Sequence, residues 1–128
     1  MKSVDTKAVI LADPDPNVRE LVGRFLAEAG YTVTIATNGY DALDSARLAP
    51  PVALFADIML PKLDGLTLCR LLKEDAEVKD LITIIVFSVL SVEEKAIRAG
   101  ANAFIKKPVD KDDILNALGS IKLKETNS

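Results

Sequence analysis

Five short apolar runs, separated by helical patterns, limit the folds open to this chain more than any other feature of its sequence. The runs lie at residues 8–12, 32–36, 52–56, 82–87 and 103–106. Three of them are nearly continuous in apolar residues, which is typical of strands buried on both faces of a parallel sheet. Because helical patterns alternate with the runs, we predict an α/β domain: a single doubly wound sheet of five parallel strands with five flanking helices.

Several residues between the apolar runs are typical of helix ends. Gly30 is predicted to form the C-cap of the first helix. Ser91 and Glu94 have the spacing of a capping box at the start of a short fourth helix. Asp110 is predicted to cap the fifth helix, which carries apolar residues as far as Ile121.

Length and composition indicate one domain and exclude several classes of function. We assign residues 1–7 to an N-terminal lead-in, 8–121 to the domain and 122–128 to a polar C-terminal tail. The net charge of −3, without a basic patch, argues against direct binding of nucleic acid, and no apolar stretch approaches the length of a membrane span. The single cysteine, Cys69, excludes an internal disulfide and favours the cytoplasm, and the lack of histidine rules out histidine chemistry within the chain.

Polar side chains follow four of the five predicted strands. Asp13, Asp57 and Ser88 each come directly after an apolar run, and Lys106 and Lys107 end the last one. Ligands of open parallel sheets bind beyond the carboxyl ends of the strands, so we expect these side chains to converge. Paired carboxylates suit a hard cation such as Mg²⁺, and a carboxylate can attack phosphorus, with an ammonium and a hydroxyl to hold the phosphoryl oxygens.

Three segments of the chain resemble the receiver domains of bacterial response regulators. "DIMLPKLDG" at 57–65 is similar to their phosphoacceptor loop, "AGANAFIKKP" at 99–108 to their fifth-strand signature, and "ATNGYDAL" at 36–43 to their second strand–helix junction. The resemblance covers residues 8 to about 121. It implies the flavodoxin-like strand order 2-1-3-4-5. It also implies a signalling protein rather than an enzyme, one that only assists its own phosphorylation and dephosphorylation.

The resemblance implies a role for each matching side chain. Asp57 would accept a phosphoryl group from the phosphohistidine of a sensor histidine kinase. Lys107 would contact that group, and Ser88 would hydrogen-bond it and reorient. Phe104 matches an aromatic position whose rotamer changes on activation. Taken alone, Asp57 and Ser88 are also common turn residues, and Phe104 is also an ordinary core residue.

A Mg²⁺ cofactor is also implied, but its site departs from the family pattern. Asp13 matches the first acid of a pair after the first strand, and the backbone carbonyl of Met59 would be a further ligand beside Asp57. Pro14 stands where the second acid is expected, so binding is expected to be weakened. Asp15 offers a replacement carboxylate, but Asp followed by Pro before a helical pattern is more typical of an N-cap.

Partners follow from the resemblance as well. They are a sensor histidine kinase or phosphotransfer protein, and a downstream protein or output domain that contacts helix four, strand five and helix five. A homodimer through the same surface stays open. The segment between Ser88 and Gly100 is about three residues shorter than is typical, close to one helical turn. Such a change would alter partner recognition.

Two other functions stay open from the sequence. One is a pseudo-receiver, an interaction module with impaired Mg²⁺ binding that signals without phosphorylation, which Pro14 and the short fourth helix favour. The other is a flavodoxin-like cofactor binder with the same strand order. The carboxylates at the sheet edge argue against the latter because they would repel a cofactor phosphate.

Overall fold

A computed structural model describes residues 2–121, and the predicted tail at 122–128 lies outside the described residues. The strands are β1 (Asp5–Ala12), β2 (Thr32–Ala36), β3 (Pro51–Asp57), β4 (Thr83–Ser88) and β5 (Ala103–Lys106). The helices are α1 (Pro16–Glu28), α2 (Gly39–Leu48), α3 (Gly65–Glu74), α4 (Glu93–Arg98) and α5 (Lys111–Leu118). The five strands pair in parallel in the order β2-β1-β3-β4-β5, which confirms the predicted fold.

The sheet separates two apolar layers, and the central strand β3 serves both of them. All seven residues of β3 are buried, as the continuous apolar run predicts. Leu54 and Ala56 pack into one layer, while Ala53 and Phe55 pack into the other. Helices α2, α3 and α4 supply buried residues to the first layer, and α1 and α5 supply them to the second. Helices on both faces account for the burial of the parallel strands.

The helix ends agree with the sequence in part. Asp110 caps α5 in a capping box with Asp113. The C-cap of α1 is Ala29, one residue before the predicted Gly30, which follows in the left-handed region at φ +99°. Helix α5 ends at Leu118, before the predicted Ile121.

The predicted capping box at α4 is wrong. The N-cap is Val92, which has no side chain able to accept a hydrogen bond, and no side chain caps this helix. The helix starts one residue later than a cap at Ser91 would require, so the spacing to Glu94 is lost. At six residues, α4 is as short as the sequence predicts.

Two further features bear on the domain limits. Strand β1 begins at Asp5, so it extends into the segment at 1–7 assigned to the lead-in. Pairing with the start of β3, where Asp5 is opposite Pro51, orders this segment. In the part of the chain that the structure describes, every helix is too short or too polar to cross a membrane.

Candidate functional site

Four polar side chains meet at the carboxyl edge of the sheet. Asp13 follows β1, Asp57 and Ser88 end β3 and β4, and Lys107 follows β5. Asp13 and Ser88 are fully buried, and Asp57 is 6% exposed. Charged residues are rarely buried unless they are paired, so we expect groups that pair with Asp13 and Asp57. Lys106, by contrast, is exposed.

Lys107 joins the two buried carboxylates. Its Nζ donates a hydrogen bond of 2.8 Å to Oδ2 of Asp13 and a second hydrogen bond to Oδ2 of Asp57. Its backbone N–H donates to the carbonyl oxygen of Ser88 at 2.8 Å, which fixes the start of the side chain. Lys107 thereby contacts residues 94 and 50 positions away in the chain. These contacts join Asp13, Asp57 and Lys107 in one ion-pair network.

The second oxygen of each carboxylate is held by the backbone. The N–H of Asp15 donates to Oδ1 of Asp13 at 2.9 Å, and the N–H of Met59 donates to Oδ1 of Asp57 at 2.7 Å. The hydroxyl oxygen of Ser88 accepts the N–H of Leu90 at 2.9 Å. Within residues 2–121, every buried side-chain nitrogen or oxygen has a hydrogen-bond partner. The site is therefore internally satisfied.

Burial and pairing shift two pKa values in this network. Desolvation raises the pKa of Asp13 above its ordinary value, and the hydrogen bond and charge of Lys107 only partly offset this rise. For Lys107, desolvation acts to lower the pKa, but its hydrogen bonds and charge interactions with Asp13 and Asp57 outweigh it. The net pKa of Lys107 is raised. Lys107 is thus held firmly as an ammonium ion.

The loop after Asp57 is fixed by two glycines. The N–H of Gly65 donates to the carbonyl of Ile58 at 2.8 Å, and a Cβ on Gly65 would lie 2.4 Å from the carbonyl oxygen of Asp57. The N–H of Gly39 donates to the carbonyl of Pro61 at 3.1 Å, and a Cβ there would lie 1.8 Å from a backbone oxygen of the loop. Close backbone approach therefore requires glycine at both positions.

Asp15 is placed at the N-cap of α1. Its Oδ1 accepts the N–H of Asn17 at 2.8 Å, Pro16 occupies the first helical position, and the side chain is exposed. Of the two uses that the sequence left open for this carboxylate, the structure shows the cap. Pro14, between Asp13 and Asp15, contributes no carboxylate.

The donors present do not fit a tightly held Mg²⁺ ion. Two buried carboxylates, Asp13 and Asp57, both accept the same ammonium group, and the carbonyl of Met59 is the remaining expected donor. Across residues 2–121 no group of three or more Asp, Glu, His or Cys side chains could hold a metal ion. Mg²⁺ is held through oxygen ligands, and both oxygens of each carboxylate here already accept hydrogen bonds from Lys107 or from a backbone N–H.

Phe104 lies apart from this network. It is half-buried and lines an open groove between α4 and β5, together with Ser91, Ile97 and Lys106. Sequence reasoning missed one contact of the site. Nη1 of Arg19 donates to the backbone carbonyl of Asp13 at 2.8 Å and so holds the turn before α1. An arginine one turn into a helix that follows a strand end is a weak signal for such a contact.

Comparison with known proteins agrees with this geometry. The response regulator receiver domain family matches residues 9–119. The response regulator MprA of Mycobacterium avium is 36% identical over 109 residues, which cover 84% of this chain and 47% of that protein. The chain therefore spans about half the length of the curated relatives it matches.

Two solved structures share the fold. The receiver domain of the sensor histidine kinase PA1611 from Pseudomonas aeruginosa, with magnesium in its active-site cleft, has a TM-score of 0.82 at 23% identity, covering 91% of this chain and 98% of that one. The receiver domain of Saccharomyces cerevisiae Ssk1, bound to the histidine phosphotransfer protein Ypd1, has a TM-score of 0.76 at 20% identity, covering 89% and 84%. With the family match over residues 9–119, the chain belongs to the response regulator receiver domain family of two-component signalling.

Proposed function

We propose that this chain accepts a phosphoryl group on Asp57 and thereby changes its affinity for a protein partner. The observation that carries the proposal is the convergence of Asp57 with Lys107, Asp13 and Ser88 at one sheet edge. A carboxylate at the end of a fully buried strand is held at a fixed place, which suits a nucleophile.

The transfer itself is a substitution at phosphorus. A carboxylate oxygen of Asp57 forms the new O–P bond while the P–N bond to the donor's phosphohistidine breaks, and the imidazole leaves with its electron pair. The ammonium of Lys107 stabilises charge on the phosphoryl oxygens, to which it can turn from Oδ2 of Asp57. The Ser88 oxygen accepts the N–H of Leu90, so its own O–H is left to donate to a phosphoryl oxygen.

The other expected roles belong to the same proposal. Asp13 and the Met59 carbonyl are the remaining candidate Mg²⁺ donors, and we expect weak binding because Pro14 supplies no acid and Asp15 caps α1. Phe104 is the candidate switch residue, since it lines the groove on the α4–β5 face. A histidine kinase or phosphotransfer protein is the expected donor, and a downstream protein or output domain the receiver of the signal. A homodimer through that face and a cytoplasmic location are likewise expected.

Chemical phosphorylation tests the proposal. We expect the mass of the chain, incubated with acetyl phosphate and Mg²⁺, to rise by one phosphoryl group, and we expect Asp57→Asn to abolish the gain. Asp112→Asn, a change in the first turn of α5, is the matched control and should keep the gain. No gain in the native chain, or a gain that survives Asp57→Asn, would contradict the assignment.

A pseudo-receiver is the second candidate, and the two-carboxylate site favours it. In that case the chain binds its partner in one state, with Asp57 and Asp13 serving to anchor Lys107. Partner binding that is equal for the native chain, with or without acetyl phosphate, would support this function. A change in affinity that depends on Asp57 would exclude it.

A further inference from the structure

We propose that Lys107 is the resident cation of this site. Its ammonium group takes the electrostatic role of a divalent ion between Asp13 and Asp57 and keeps the unphosphorylated chain from binding Mg²⁺. The inference uses the site located above, but it does not depend on phosphoryl transfer to Asp57.

Lys107 lies between the two carboxylates of the site. One Nζ atom donates to an oxygen of each carboxylate, and the side chain of Lys107 is only 12% exposed. Two carboxylates that share a buried site repel each other unless a cation lies between them. Lys107 occupies that position, since both Oδ2 atoms are turned to the same ammonium.

The charge of the network also disfavours a divalent ion. Asp13, Asp57 and Lys107 together carry one net negative charge when all three are ionised, whereas the two carboxylates alone would carry two. A divalent ion that enters must displace the ammonium from both partners, and a largely buried ammonium without partners is unfavourable. The network therefore attracts Mg²⁺ less strongly than two free carboxylates would, and the ammonium of Lys107 competes for the same oxygens.

The site also lacks an acid at position 14, where the chain has proline. With Pro14 between them, Asp13 faces the site and Asp15 caps α1. A third ionised carboxylate in the site would change the net charge of the network from −1 to −2, which would attract a divalent ion more strongly. With two carboxylates, one ammonium and two backbone N–H donors, no buried side-chain polar atom among residues 2–121 lacks a partner.

Two variants at the site are expected to tighten Mg²⁺ binding, and a third variant is the control. Lys107→Met keeps much of the side-chain volume and removes the charge, so the paired carboxylates should bind Mg²⁺ more tightly than the native chain, by at least about tenfold. Pro14→Asp adds a carboxylate while Lys107 stays in place, and should also tighten binding. Lys106→Met removes an exposed ammonium next in the chain and should leave the affinity unchanged.

The experiment is a calorimetric titration of each full chain with Mg²⁺ and no phosphodonor. Binding by Lys107→Met no tighter than by the native chain would overturn the proposal, even if Pro14→Asp gains affinity, because a ligand deficit alone would then explain the data. The test can fail while Asp57 is still phosphorylated, and the reverse, so the two proposals are judged separately.

A measurement on the native chain guards against a Lys107→Met variant that does not fold. The hydrogen-bonded ammonium of Lys107 should give a protected ¹⁵N–¹H₃ resonance in NMR spectra, and millimolar Mg²⁺ should leave it unchanged. Loss or displacement of this resonance at low Mg²⁺ concentration would show that the metal expels the lysine and would refute the proposal.

Discussion

Gly65→Ala should destabilise the domain because the added methyl group meets the backbone at the end of β3. The new Cβ would lie 2.4 Å from the carbonyl oxygen of Asp57 and 2.8 Å from Cα of Ile58. Contacts below 3.0 Å are essentially absent from real structures, so the oxygen must move by about 0.6 Å. Overpacking of this kind costs roughly 1–3 kcal/mol. For a chain of this length, that lowers Tm by roughly 3 to 15 °C.

Gly23→Ala is the matched control. Gly23 lies inside α1, and a Cβ there would lie 3.8 Å from Leu11 Cδ2, an ordinary contact. Alanine is favoured over glycine in a helix by roughly 0.5–1 kcal/mol, so this variant should unfold at a higher temperature than the native chain. Thermal unfolding followed by circular dichroism measures both. A Gly65→Ala chain with the Tm of the native chain would refute the close-approach argument.

Three further predictions concern the core and buried groups. Phe55 is fully buried, and its ring centroid lies 6.0 Å from that of Phe87. Phe55→Ala should therefore lower the free energy of unfolding by about 3–5 kcal/mol and lower the urea midpoint. A loss of stability below about 1 kcal/mol would contradict this packing. Because the pKa of Asp13 is raised in the folded chain, the native chain loses stability as the pH rises above 3.8 and the carboxyl group ionises. Asn cannot ionise, so the stability of Asp13→Asn relative to the native chain should increase from acidic to neutral pH in urea titrations. No such increase would contradict the raised pKa. Burial raises the pKa of Cys69 to about 11, so its thiol should react with a disulfide reagent near neutral pH only after denaturation.

The sheet and the placement of the site could be predicted because both depend on local signals. The continuous apolar run at 52–56 indicates a strand buried on both faces, and it is the centre of β3. Asp13 and Asp57 stand directly after such runs, which places them at the carboxyl edge of a parallel sheet. The Asp–Pro pair at Asp15 and Pro16 predicts a helix start, and α1 begins there.

Long-range contacts could not be predicted in the same way. Which atoms Lys107 contacts depends on residues 94 and 50 positions away, and nothing in the spacing fixes one ammonium on both carboxylates. The reason for glycine at Gly39 is also invisible in the sequence, because it lies in the approach of α2 to the loop after β3. At α4, a local signal was misleading, since the capping pattern of Ser91 and Glu94 is lost when the helix begins at Glu93.

The two loops that flank the site, at 58–64 and after Ser88, are held in different ways. The loop at 58–64 is closed by Gly65 and fastened to α2 by Gly39, at backbone distances that leave no slack. The facing loop after Ser88 is held by the short-range bond from the N–H of Leu90, and the helix it leads into has no side-chain cap. The loop at 58–64 is thus held at more points than the loop after Ser88. We therefore expect a group that enters between the two loops to displace the loop after Ser88, and with it α4, rather than the loop at 58–64 and α3.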